Sequence, residues 1–256
     1  MICVICVKNK YLRETKKLNL PLVLPLEGEL ERVLKYKIMN SLSIKKISAA
    51  DVTAQEIPAL LKENGIVYNK VENVNWPKEF PYCPKMEFGI AHTDDAFLIH
   101  YRVEEQSIRA VAQKDGDNIW EDSCAEFFIS PAGDDLYYNI ECNCAGTLLV
   151  GVGEGRNNRV LAAPQITQLI DRWTTLGRPP FDTKEQPTAW ELALRIPYSV
   201  FFRHNITSLD GLTLRGNVYK CGDKLPIPHF ISWNPIGTPT PDFHCPQYFG
   251  ELKIEN

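Results

Sequence analysis

Ala96-Phe97-Leu98-Ile99-His100-Tyr101-Arg102-Val103 is the stretch on which the fold turns. Phe97, Ile99, Tyr101 and Val103 fall on one side of an extended chain, and Leu98, His100 and Arg102 fall on the other. Apolar residues recurring every second position mark a strand with one face in a core. A second segment repeats the pattern. In Thr188–Ile196, Trp190, Leu192, Leu194 and Ile196 share a side, while Glu191 and Arg195 take the other.

Working outward, the strand signal continues from Glu87 to the end of the chain. Ala125–Ser130 runs into Pro131-Ala132-Gly133-Asp134-Asp135, a turn-rich stretch, and Leu136–Asn143 follows as its hairpin partner. Thr147–Val150, Leu212–Lys220, Pro228–Trp233 and Tyr248–Ile254 supply further strands. Gly151-x-Gly153-x-Gly155 reads as the turn that ends Thr147–Val150; no Lys-Ser/Thr and no long helix follow to make it a phosphate loop. Helical signals are few. Residues 51–64 read as one short helix, with Asp51 as N-cap and Gly65 as the stop, and Tyr198–His204 as a helical turn. Residues 66–86, rich in Asn and Pro, read as a wrapped loop. Many short strands between turns predict an all-β fold, an antiparallel β-sandwich of immunoglobulin-like or jelly-roll type, with one short helix.

The chain divides into a sandwich over residues 39–256 and an N-terminal extension over residues 1–38. The extension has a basic run from Lys8 to Lys17 and an apolar segment broken by Pro21 and Pro25. Residues 1–46 hold ten Lys and Arg against four Asp and Glu, a net +6, which leaves −10 for the remainder of a chain whose total is −4. Such a total gives no global basic field for nucleic acid. No apolar run approaches the roughly 18 residues a membrane span needs. Met1–Val7 lacks the basic start and cleavage site of a secretory signal, so the compartment stays open. The eight cysteines follow no zinc spacing, and scattered cysteines in a chain of 256 residues are ordinarily small buried hydrophobes.

Two segments carry candidate chemistry. In Asn118–Ile129, Trp120 precedes a strand and Glu126 falls inside it, where a charged group must face solvent, a partner or a ligand. Between Trp233 and Tyr248, Pro235, Pro239, Pro241 and Pro246 stiffen a loop that presents Phe243 and His244.

The run Trp120-Glu121-Asp122-Ser123-x-x-Glu126-x-Phe128-Ile129 resembles the signature of carbohydrate-binding module family 9. Ile231-Ser232-Trp233 followed by Phe249-Gly250-x-Leu252 is similar to that family's C-terminal pattern. Asn217-Val218-Tyr219 and Glu191-Leu192-Ala193-Leu194 fall in register between them. The resemblance spans residues 85–255. It implies a DOMON-related β-sandwich that binds mono-, di- or oligosaccharides and serves the breakdown of xylan- or glucan-type polysaccharides. It also implies an extracellular or periplasmic habit.

In the family two aromatic rings clamp the sugar. Trp120 matches the first, and Phe243 stands where the family has a second tryptophan. Polar sugar-contacting positions map onto Glu126, Asn139 and Tyr219; the second of these is commonly basic in the family. The family also often holds structural calcium, for which Asp94-Asp95, Asp115-Gly116-Asp117 and Asp134-Asp135 offer oxygens. The chemistry is coherent without the resemblance: aromatic planes cover the C–H face of a pyranose, and planar polar groups pair with its hydroxyl rim.

Other functions compete. A glycoside hydrolase, or a hydrolase-associated domain, needs two carboxylates across the scissile bond, and Glu121, Asp122, Glu126 and Glu141 are available. A haem domain of the DOMON type needs an axial pair such as Met86 with His92 or His100. The reading adopted is a non-catalytic carbohydrate-binding module.

Overall fold

Strand alternation sorts each segment's side chains into a core and an outer face. Phe97, Ile99, Tyr101 and Val103 enter the main core with Trp190, Leu192, Leu194 and Ile196, as do Ala125, Phe127 and Ile129. The computed structural model describes residues 39–256; the expected extension over 1–38 lies outside the described residues.

In chain order the strands are β1 (Ser41–Lys46), β2 (Asn69–Lys70), β3 (Asn73–Val74), β4 (Lys85–His92), β5 (Ala96–Glu105), β6 (Ile108–Ala110), β7 (Cys124–Ser130) and β8 (Tyr137–Asn143). Then follow β9 (Leu148–Gly153), β10 (Val160–Leu161), β11 (Asp171–Thr174), β12 (Phe181–Lys184), β13 (Thr188–Pro197), β14 (Thr213–Cys221), β15 (Phe230–Ser232) and β16 (Gly250–Ile254). One layer runs β10-β9-β8-β7-β14-β16-β1 and the other β1-β4-β5-β13-β11. β1 belongs to both: Ser41–Ile44 pairs with β16, and Lys45 and Lys46 pair with β4. Both pairings are parallel. The sandwich is therefore mixed where β1 enters it and antiparallel along its other ladders, and β1, which alternation did not reveal, joins its two layers.

A buried ion pair helps join the layers at one rim. Lys220 of β14 lies 2.9 Å from Glu105 of β5. The Lys220 ammonium also donates to His229 (2.7 Å), and the Trp190 indole donates to Glu105 (2.7 Å). All four side chains are buried, so each polar group needs its partner.

The expected helix over 51–64 is shorter. A 3₁₀ turn at Ala54–Glu56 leads into α1 (Ile57–Glu63). Its start is set by Thr53 and not Asp51: the Glu56 carboxylate accepts from the Thr53 N–H (2.9 Å) and hydroxyl (2.7 Å). Gly65 ends the segment with φ +68°, as a helix stop requires. Ile57 and Leu61 seal against Ala91, Leu98 and Ala193, so α1 covers the outer face of the β4-β5-β13 layer. Tyr198–Val200 forms a 3₁₀ turn, shorter than the expected Tyr198–His204. The expected loop over 66–86 contains β2 and β3 and ends as β4 begins at Lys85.

Candidate sugar-binding site

The outer face of the other layer is built differently. Outward positions are Cys124, Glu126 and Phe128 on β7, Tyr137, Asn139 and Glu141 on β8, and Asn217, Tyr219 and Cys221 on β14. The register sets Glu126 beside both Glu141 and Tyr219, and Asn139 beside Phe128 and Gly151. Over this face lies a cavity of about 420 Å³ whose lining includes Trp120, Glu126, Asn139, Glu141, Arg159 and Phe243.

Trp120 sits in a 3₁₀ turn at Ile119–Glu121 and is 37% exposed. The next residue but one anchors that turn. Buried Asp122 accepts from the backbone of Val111 and Ala112 (3.1 Å each) and from the Asn143 amide (2.9 Å), and pairs with Arg109 (3.2 Å). The acid of the Trp-Glu-Asp-Ser run therefore holds the wall that carries the indole.

Phe243 also lines the cavity. Its ring stacks on Tyr219, with centroids 4.3 Å apart and planes 6° from parallel. The Tyr219 hydroxyl donates to the Phe243 carbonyl (3.2 Å). Tyr219 is fully buried and does not line the cavity; it supports Phe243 from behind. The loop itself is pinned. Asn40 N–H donates to Asn234 (2.7 Å), Ile236 N–H to Asn75 (2.8 Å), and the Trp76 indole to Thr238 (2.8 Å). Gly250 lets this junction close: a Cβ there would stand 2.6 Å from the Asn40 carbonyl.

Of the five expected residues, Trp120, Glu126, Asn139 and Phe243 line this one cavity and Tyr219 stands behind it. Neither Arg109 nor Arg195 neutralises Glu126, for these pair with Asp122 and Asp95. The Glu126 carboxylate accepts from the Cys221 thiol (2.9 Å). Burial, then the neighbouring Glu141, raises its pKa well above the ordinary carboxylate value. Burial lifts Glu141 to about 7. One Glu141 oxygen accepts from Asn139 (2.8 Å); the other is buried without a hydrogen-bond partner. Asp223, also lining the cavity, is pushed up to about 6 by burial and by Glu121.

Arg159 escaped the sequence reading. Its Nε and Nη2 donate to the Asn139 carbonyl oxygen (3.0 and 2.7 Å), and its guanidinium lies 4.3 Å from the centre of the Tyr137 ring. Asn139 thus brings a cation to the cavity indirectly. The signal was the glycine run. Gly151 and Gly153 lie within β9, which does not end at Val150, and a Cβ at Gly151 would stand 2.7 Å from the Asn139 oxygen. His244 accompanies Phe243 at the cavity. Its ring nitrogen pairs with the Tyr137 hydroxyl (2.9 Å), and burial with two nearby arginines lowers its pKa to about 3.

Five of the six acids considered for calcium have other partners. Asp94 pairs with Lys46, Asp95 with Arg195, Asp115 with Arg172 and Asp134 with His204. Asp117 accepts backbone N–H groups of Gln113 and Lys114. Met86 packs in the core; His100 bonds Tyr68 and Glu191, and His92 bonds Tyr198 and the Glu255 carbonyl, so the three residues considered for haem already have other partners.

A family model for carbohydrate-binding family 9 matches residues 55–254. The chain belongs to that family. Among solved structures it is similar to a crystal structure described as "a putative carbohydrate-binding protein" from Bacteroides uniformis, at 48% identity and TM-score 0.83. That match covers 85% of this chain and 100% of the other. Two family 9 modules of Caldicellulosiruptor kristjanssonii, in complex with glucose and with cellotriose, share the fold at 14% identity. Their TM-scores are 0.53 and 0.52; they cover 84% of this chain and 96% and 94% of theirs. No match was found among curated proteins. Among the described residues, no helix is long and apolar enough to cross a membrane.

Proposed function

We propose that this family 9 member holds one sugar unit in the cavity between the Trp120 indole and the Phe243 ring. The observation that carries the reading is a shared lining: a half-exposed indole, a second aromatic ring and a buried unpartnered carboxylate oxygen of Glu141 all border one cavity. Its volume lies within the roughly 300–1,000 Å³ usual for small-molecule sites. The aromatic planes cover the sugar's C–H faces, and Glu126, Glu141, Asn139 and Arg159 meet its hydroxyls. A hydroxyl donated to Glu141 satisfies an oxygen that is costly to bury alone. The glucose and cellotriose complexes of the Caldicellulosiruptor modules favour gluco-configured units, and the proposed role is attachment to glucan- or xylan-type chains during their breakdown.

Binding rather than hydrolysis fits the acids best. Glu126 and Glu141 are neighbours on one sheet face, whereas hydrolysis needs carboxyls on both sides of the bond. Calorimetry with glucose, cellobiose, cellotriose and xylobiose tests the reading. The expected Kd is micromolar to millimolar, about −4 to −8 kcal/mol, with at least tenfold loss in Trp120→Ala at unchanged melting temperature. Undiminished affinity in that variant, no binding of any of these sugars, or release of reducing sugar by the pure protein overturns it.

A further inference from the structure

At the cavity floor Glu126, already placed beside the sugar, belongs to a second group of side chains together with two cysteines. Cys124 and Cys221 are direct cross-strand partners on β7 and β14, on the same outward face, and Glu126 follows two residues along β7. Among the described residues these three form the one set of metal-ligating side chains whose ligand atoms all lie within 4.8 Å of one another. The Cys221 sulfur and a Glu126 oxygen are 2.9 Å apart. All three are buried, on strands that fix their backbones.

We propose that Cys124, Cys221 and Glu126 form a binding site for a zinc-class divalent transition metal ion. Zinc bonds of about 2.3 Å to sulfur and about 2.0–2.2 Å to oxygen set tetrahedral ligand atoms roughly 3.5–3.8 Å apart, a separation the cluster reaches with small side-chain adjustments. Two sulfurs with one carboxylate select a borderline-soft ion over calcium or magnesium, which take oxygen ligands. Glu126 and Cys221 also line the cavity, whereas Cys124 does not, so the fourth coordination position points toward the cavity. Three protein ligands leave a fourth position that a water can take, unlike a closed structural zinc site with four protein ligands.

The test uses reduced full-length protein in a C3S/C6S/C83S background, which removes the Cys3-x-x-Cys6 pair and the exposed Cys83. Titrated cobalt(II) is expected to bind at one equivalent, giving a thiolate-to-cobalt charge-transfer band and the visible bands of tetrahedral cobalt, and zinc is expected to displace it. Adding C124S or C221S abolishes both bands, while E126Q weakens binding at least tenfold. A second readout needs no cavity variant: zinc is expected to slow alkylation of Cys124 and Cys221 in the unaltered protein, leaving buried Cys142 and Cys144 at their metal-free rates. Absence of cobalt bands in a background protein with unaltered circular dichroism, bands that survive C124S/C221S, or zinc protection that excludes these two cysteines would each refute the site.

Discussion

The two outer faces of the sandwich solve the same problem in opposite ways. The β4-β5-β13 face meets α1 through Ala91, Leu98 and Ala193 against Ile57 and Leu61, an apolar seal. The β7-β8-β14 face buries Glu126, Asn139, Glu141 and Asn217 and is roofed by aromatics on a proline-stiffened loop, with a cavity left beneath. A helix can seal that part of a face where the outward residues are apolar, as at Ala91, Leu98 and Ala193; the polar outward residues of the same strands are paired, His100 with Tyr68 and Glu191, and Arg102 with Glu87. A face lined with carboxyls and amides repels such a plug, because each polar group would lose water without gaining a partner. The polar outward positions of β7, β8 and β14 thus go with a cavity on that face.

The largest expected effect tests that contrast. Leu61→Ala removes a fully buried side chain from the seal and should cost about 2–5 kcal/mol of stability. Denaturant unfolding measures the loss, and sugar affinity of the remaining folded protein should not change. A parallel fall in affinity would break the comparison. Next comes a matched pair of substitutions. Arg159→Lys keeps the charge but loses the forked contact to Asn139, and should weaken sugar binding about tenfold, or about 1.4 kcal/mol. Arg102→Lys makes the same change on the other side, where Arg102 lies over Tyr68 and pairs with Glu87. Calorimetry should find its sugar affinity unaltered.

Acid should act through the roof of the open face. His244 is held neutral by burial and by Arg159 and Arg156, with its pKa lowered from 6.5 to about 3. The unfolded chain therefore takes up a proton near pH 6.5 that the folded protein refuses until about pH 3. Stability from this group is complete well above pH 6.5 and declines as pH falls, by at most about 1.4 kcal/mol per pH unit and by roughly 1–2 kcal/mol in all by pH 5.5. Unfolding measured from pH 7.5 to 5 should show a shallower acid slope in His244→Gln than in the unaltered protein. Equal slopes would mean that the ring is solvated in the folded state.

What the sequence made legible was whatever two-residue alternation encodes. β5, β7, β8, β13, β14 and β16 were visible because their inward positions are apolar and their outward positions are not. β1 was hidden: Ser41–Lys46 has one buried residue, Ile44, and its place is decided by partners over 200 residues away. Trp120, Glu126, Asn139 and Phe243 were nameable because strand phase and family pattern act locally. Arg159 was not, since it joins the cavity through the Asn139 oxygen and lies beside Gly153, where a Cβ would stand 3.3 Å from its side chain, and the glycine run that leaves this space does not say which residue fills it. The acids were visible as residues, but their raised pKa values come from burial under a roof that only the folded chain supplies.

The smallest expected effect concerns the roof ring itself. The family carries tryptophan where this chain has Phe243, and restoring the indole would enlarge the π surface offered to a sugar. Space sets the limit. Phe243 is already stacked at 4.3 Å on Tyr219, and the Trp76 and Phe230 rings lie 6.3 and 6.2 Å away, centre to centre. The indole can therefore grow only toward the cavity, where its extra atoms gain sugar contact and lose some cavity volume. Phe243→Trp is expected to tighten glucose binding by no more than about 1 kcal/mol, with little change in melting temperature. A loss of affinity accompanied by a lower melting temperature would show that the aromatic roof is packed to its limit, with Phe243 held in place by the Tyr219 ring it stacks on.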